Sequence, residues 1–407
     1  RGGKSATKQV TWRLHRWQDH DWQELHTTVE RQADERAARR AQRDPTVATP
    51  LEKTLKRAAN AASDGYLSRA AKALDNERLG PDTEAVKAAL LKVHPQDHPT
   101  AAATQQRGRN APCIFLEVKD VLQSAMTLQK SAAMWTQPRH LRAIAQHDGG
   151  GVALKNLAQL VLNGRMPAEI APLIYDHKLA AVMKESKHQA DISDRLRQTT
   201  TTTGAAIKVR PIAIGCAVLR MAERAYAMRE KGVLIKHLMP YQVGVGVAGG
   251  LSMWASVVEA LLQADDDNVC LSIDLVNCFN ALDRDALIEE CLRHPELEPL
   301  AHYVAVTYPP GMVAWSKVDG AWQEINFVNG LAQGRPLSPA LAAILLQPIL
   351  IATKKAMAVE CGLEFGSAAL DLKIGCGAYI DDATLVGHVD VVAKGFKVFT
   401  AECAKRG

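Results

Sequence analysis

Three aspartates, Asp274 and the adjacent pair Asp381 and Asp382, are the side chains of this 407-residue sequence whose type and setting could do chemistry. Asp274 closes the apolar run Val269-Cys270-Leu271-Ser272-Ile273, and a buried strand has no structural need of a carboxylate there. Asp381 and Asp382 stand between two β-prone arms, residues 377–380 and 383–386, as the tip of a hairpin would. Like charges at a turn repel unless a cation joins them. Mg²⁺ is the hard, oxygen-seeking ion that carboxylates from both segments would hold together with substrate phosphates, and paired ions about 3.5–4 Å apart suit in-line nucleotidyl transfer. One ion would activate an attacking 3′-hydroxyl and the other would stabilise the leaving pyrophosphate, with Asp274 and Asp381 bridging both; Mn²⁺ is an alternative ion. An Asp-Asp pair in a turn is by itself ordinary turn chemistry, so the surrounding elements carry the weight.

A third segment lies between the acids: Gly330-Leu331-Ala332-Gln333-Gly334-Arg335-Pro336-Leu337-Ser338-Pro339 runs into the apolar stretch 340–346. Ser338 reads as the N-cap of a helix with Pro339 at its first position, and the glycines would let backbone approach a base pair closely. Upstream, residues 173–183 and 207–214 read as strands around an insertion marked by the threonine run 199–203, and residues 117–130, 138–146 and 154–162 carry helical spacing. Beyond Ile214 helices and short strands alternate, an α+β pattern, and residues 283–285 read as a helix start after Asp274. The acid run 265–267 reads as a solvated turn.

The order of these motifs resembles reverse transcriptases. Asp274 with Phe279 matches motif A, Gln333-Gly334 through Ser338-Pro339 matches motif B, and Tyr379-Ile380-Asp381-Asp382 matches motif C. Val209-Arg210-Pro211-Ile212-Ala213-Ile214-Gly215 and Gln242-Val243-Gly244-Val245-Gly246 also stand in the family's order, which is similar to the non-LTR retrotransposon enzymes. The resemblance runs from about residue 153 to the C-terminus. It implies right-hand polymerase fingers and palm, with an antiparallel palm sheet packed on helices. It also implies RNA-templated DNA synthesis from dNTPs, with an RNA template and a DNA primer or nicked target DNA as partners. By the same resemblance Phe279 would close on the sugar 2′ position and select deoxynucleotides, Arg210 would contact the incoming triphosphate, and Lys184 would be a second phosphate contact. Gln333 would touch the templating base pair with Gly334 beside it, Leu275 would offer its carbonyl to a metal, and Tyr379 would pack by the primer terminus. The family continues past motif C into a lysine-bearing strand and a thumb. Here a helix over 390–406 ends the sequence, and Lys397 and Lys405 are not convincing substitutes, so a fingers and palm piece that ends before the thumb is expected.

The rest of the chain bounds this reading. Residues 1–94 form a helical, partly basic region with a capping box at Thr49-Pro50-Leu51-Glu52, residues 95–112 read as a linker, and 113–407 as the catalytic domain. Charge is only +5, from 49 basic against 44 acidic residues, so nucleic-acid affinity must come from local clusters such as Arg36, Arg39, Arg40 and Arg43. The eight cysteines show no zinc spacing and read as reduced core thiols. No apolar run approaches the roughly 20 residues of a membrane span, and no signal-peptide core is present, so an intracellular protein without a membrane partner is expected. A viral RNA-dependent RNA polymerase would show Gly-Asp-Asp in motif C and an Asp in place of Phe279, against what stands here. A group II intron maturase shares more and stays open. So does a decayed fragment that only binds nucleic acid, through its arginine-rich helix.

Overall fold

Thr83 starts the first helix that can be placed: it is extended (φ −125°, ψ 157°), and its side chain accepts from the Val86 N–H to open α1, Glu84–Val93. The computed structural model describes residues 83–128, 136–183 and 209–406, with isolated helical positions at 24, 27, 28, 31 and 35 before them. The capping box at 49–52, the arginine cluster, the threonine run and Lys184 lie outside the described residues.

The stretch 95–112 is not a bare linker. It carries α2, Ala102–Asn110, in which Thr104, Gln105 and Gly108 are buried. The Gln105 amide donates to the Ala305 carbonyl, and the Asp285 carboxylate accepts from the Ala101 N–H at 3.0 Å. Pro, Ala, Thr and Gln gave this segment no apolar signal; small and amide side chains bury it instead. Then come α3 (Val118–Thr127), α4 (Pro138–Ala145) and α5 (Gly150–Leu162), matching the expected helices within a few residues. A short helix, Ala171–Tyr175, replaces the start of the expected strand, with Pro172 in its first turn, so β1 begins only at His177 and runs to Met183. β2 is Val209–Ile214, followed by α6 (Ala217–Arg229), α7 (Lys231–Leu238) and α8 (Gly250–Ala264).

β3 is Asn268–Asp274, and after a helical turn at Cys278–Ala281 come α9 (Arg284–Leu292) and α10 (Glu298–Thr307). Asp283 caps α9 as its sequence implied, accepting from the Asp285 and Ala286 N–H groups. β4 (Val313–Val318) and β5 (Ala321–Asn326) precede the long helix α11, Ser338–Cys361, and β6 (Gly375–Tyr379), β7 (Asp382–His388) and α12 (Val389–Cys403) complete the described chain. The described residues form a mixture of helices and strands, as the alternation implied, with the strands in two sheets. One has the order β2-β1-β4-β5, in which β1 and β4 are parallel; the other is antiparallel with the order β3-β7-β6.

The three-stranded sheet rests on α11 and α12 through Leu350, Met357, Ala378, Ala383, Leu385, Val392 and Phe399. By length and composition α11 could cross a membrane, contrary to the expectation of no such run, but most of its residues from Ser338 to Leu350 are buried in the protein. Ser338 is not its N-cap: Leu337 holds that place, and the Ser338 hydroxyl donates to the Ala332 carbonyl at 2.8 Å. The cysteines are free as expected, yet only Cys216, Cys291 and Cys376 are buried, while Cys113 and Cys270 are exposed.

Candidate active site

Antiparallel pairing decides which side chains meet. Across β3 and β7 the register sets Asp274 opposite Asp382 and Ser272 opposite Thr384; across β6 and β7 it sets Tyr379 opposite Asp382. Directly opposed residues point to one face, so Asp382 stands between Asp274 and Tyr379 on the same surface. Two carboxylates in that relation repel and weaken the pair. Trp254 of α8 lies against Gly377 further along this face, and α8 forms an apolar groove there with Cys270, Ser272 and Thr384.

Only Ile380 and Asp381 separate β6 from β7. Ile380 adopts φ 63°, a left-handed conformation that a β-branched residue rarely takes and that costs of order 1–3 kcal/mol. The buried side chain of Gln242 holds it there: its amide donates to the Ile380 carbonyl at 3.0 Å and its oxygen accepts from the Ile380 N–H at 3.1 Å. The flanking backbone adds two more bonds, from Val243 N–H to the Ala378 carbonyl and from Ala378 N–H to the Tyr241 carbonyl. Asp381 is thereby fixed at the tip, half-buried. Burial, and then the charges of Asp382 and Asp274, push its carboxyl above the usual range, against the opposing pull of its own backbone N–H and of Arg210. Arg210, exposed on β2, is therefore within electrostatic reach of Asp381. Burial, with Asp381 nearby, also pushes the Cys278 thiol up to about 12, so that sulfur stays protonated.

The segment around Gln333 ties these pieces together. Leu331 N–H donates to the Phe279 carbonyl, Gly330 N–H to the Leu282 carbonyl, and Ala213 N–H of β2 to the Gln333 carbonyl at 2.7 Å. The glycines serve that seam: at Gly330 (φ 75°) a Cβ would stand 2.3 Å from the Asn280 carbonyl oxygen, and at Gly334 (φ 120°) 2.6 Å from that of Ala213. Both glycines thus let protein backbone approach protein backbone closely. Phe279 and Gln333 are both half-buried, Gly334 is exposed, and the Leu275 side chain packs on the core beneath the sheet.

Two buried arginines support the seam. Arg284 donates to the carbonyls of Phe327, Val328, Asn329 and Gly330, and Arg335 pairs with Glu223 at 2.6 Å while also bonding Tyr303 and Thr307. On the other side, Asn277, itself left-handed (φ 59°), donates from its amide to the Val93 carbonyl at the end of α1. A model of the reverse transcriptase (RNA-dependent DNA polymerase) family matches residues 198–402, just over half of the chain. The chain belongs to the reverse transcriptase family. Members work on nucleic-acid template and primer with nucleotide substrates and generally use divalent metals. A search of curated proteins found no match.

The match takes in every expected site residue except Lys184, which precedes it. Of these, the fold brings together Asp274, Asp381, Asp382, Tyr379 and Arg210 by register and charge, and Phe279, Gln333 and Gly334 by the backbone seam beside them. In the sequence Gln242 stood only as part of a family motif and Arg284 only in a helix start, and Arg335, Glu223 and Asn277 were given no role. A lone arginine inside the apolar, glycine-rich run 330–346 was the available signal for Arg335, because a charge there needs a buried partner.

Proposed function

We propose that this chain is the fingers and palm of a non-LTR retrotransposon reverse transcriptase, which transfers nucleotides from dNTPs to a primer 3′-hydroxyl on an RNA template. The observation that carries this reading is the meeting of Asp274 with Asp381 and Asp382 at one end of one sheet face, under the charge of Arg210. The donor set fits Mg²⁺: the oxygens are hard, the carboxylates repel one another, and burial first, then the charges of Asp382 and Asp274, raises the pKa of Asp381. Asp274 and Asp381 would hold the ions, with Asp382 and the Leu275 carbonyl beside them. The bound ions would lower the pKa of the attacking hydroxyl and offset charge on the leaving pyrophosphate.

The chain's own residues do the positioning. Arg210 offers a cation to the incoming triphosphate, and its strand is tied by Ala213 to the Gln333 turn, so nucleotide and template contacts would move as one unit. Phe279 stands at the other end of that turn, where its ring would close on the sugar 2′ position and favour deoxynucleotides. Tyr379, about a third exposed beside Asp382, would support the primer end. Gln242 holds the tip in its strained shape before any substrate arrives, which is electrostatic preorganisation.

Primer extension on an RNA template with dNTPs and Mg²⁺ tests this. The chain should make cDNA, and Asp274→Asn or Asp381→Asn should lower the rate by at least about 10²–10³-fold, as loss of one preorganised charge-stabilising group does elsewhere. Equal extension by the Asn variants would remove these residues from the site. Template binding without extension by the unsubstituted chain would favour a non-catalytic binding role.

A further inference from the structure

A second cluster of metal-ligating side chains lies away from the three aspartates. His237 sits at the end of α7, and His294 and Glu296 lie in the turn between α9 and α10; one ligand atom from each falls within 4.8 Å of the others. We propose that these three residues form a site for a single divalent transition metal, with Zn²⁺ the best fit, that clamps α7 to the α9–α10 turn.

The geometry has the right scale. His237 Nδ1 and Glu296 Oε1 are 3.5 Å apart, close to the ~3.3 Å edge of a tetrahedron built on Zn–N and Zn–O bonds of ~2.0–2.1 Å. The same separation is long for a hydrogen bond but lies within ion-pair range, so it is the third ligand, His294, that points to a metal. The two imidazole rings meet edge to face with centroids 4.6 Å apart. The His237 side chain is only 8% exposed, yet its Nε2 has no hydrogen-bond partner, and its Nδ1 has only the long contact to Glu296. A metal bond at Nδ1 would replace that long contact with a full one, while Nε2 stays without a partner.

The surroundings complete such a site. The Glu290 carboxylate, 7% exposed and anchored by Arg293 at 2.8 Å, lies 3.3 Å from His294 Nε2, where it would orient that ring as the outer carboxylate of a metal-bound imidazole does. His294 and Glu296 are more than a third exposed, so the ion has a path in and solvent can supply a further ligand. Two imidazoles and one carboxylate select Zn²⁺ over Mg²⁺, which prefers oxygen alone. The clamp has a structural address: five residues after His237 comes Gln242, which holds the tip that carries Asp381. His237 is already fixed on its far side by Gln347, whose amide donates to the His237 carbonyl.

The test is titration of chelator-treated full chain with Zn²⁺ against a chromophoric competitor, with Co²⁺ absorption to report ligand type and a thermal unfolding curve beside each. The expected result is about one equivalent bound, a Co²⁺ spectrum without thiolate bands, and an unfolding midpoint raised by the metal. His294→Ala and Glu296→Gln, both at exposed positions, should each weaken binding at least about tenfold, while Asp381→Asn leaves it unchanged. No Zn²⁺ binding, binding that survives both His294→Ala and Glu296→Gln, a thiolate spectrum, or loss of binding in Asp381→Asn would each overturn the proposal.

Discussion

At Asp381 the half-buried carboxyl faces Asp274 and Asp382, and folding raises its pKa. A raised carboxylate opposes folding when ionised. The penalty is absent below the unfolded value of about 3.9, grows as pH rises through the folded value, and is complete at neutral pH. Asp381→Asn should therefore raise the unfolding midpoint of metal-free protein at neutral pH, the gain shrinking as pH falls toward 4, while abolishing the benefit of added Mg²⁺. Differential scanning fluorimetry across pH, with chelator and with Mg²⁺, checks this; a variant less stable than the parent at neutral pH without metal would refute it. The places of the carboxylates, at a strand end and at a hairpin tip, were legible in the sequence from the β-prone arms around them, although β3 is largely exposed where its apolar run read as a buried strand. Gln242 was not, since an amide in a loop reads as solvated until the strained φ of Ile380 shows what it holds.

Among the elements, the turn over residues 330–335 is the joint. Its glycines and its order relative to the acids were legible in sequence, whereas its contacts to β2 and to the Cys278–Ala281 turn were not, because they are backbone bonds between residues up to 120 apart. Arg335 is held beneath it by Glu223, Tyr303 and Thr307, all buried. Breaking a buried pair by removing one partner typically costs about 3–5 kcal/mol, because the other charge is left uncompensated. Glu223→Leu should destabilise the protein on that scale, and Glu223→Leu with Arg335→Met should recover part of the loss. Urea unfolding of the single and double variants measures it, and a double variant no better than the single would show that the pair is not the coupled unit described here.

For the whole molecule, alternation of helices and strands was legible, as was the helical spacing of residues 83–93 that became α1, while the attachment of residues 95–112 was not, since a segment poor in large apolar side chains gives no periodic signal. Val86 and Leu90 of α1 are buried, and burying such side chains contributes about 1.5–3 kcal/mol each. Deleting residues up to 112 should therefore lower stability by about 3–6 kcal/mol and disturb the Asn277 turn that α1 supports, a loss that circular dichroism on heating would register. A deletion that melts like the full chain would show these helices to be dispensable. The three-stranded sheet has one further consequence. Residues 241–243 bond the outer side of β6 at Ala378, so in this sheet β3 is the strand whose outer edge has no backbone partner among the described residues, with Val269 and Cys270 exposed along it. Open edges are where chains add strands to one another, so a strand added to this sheet along β3 would end beside Asp274, making crowding and loss of the carboxylate centre the same event.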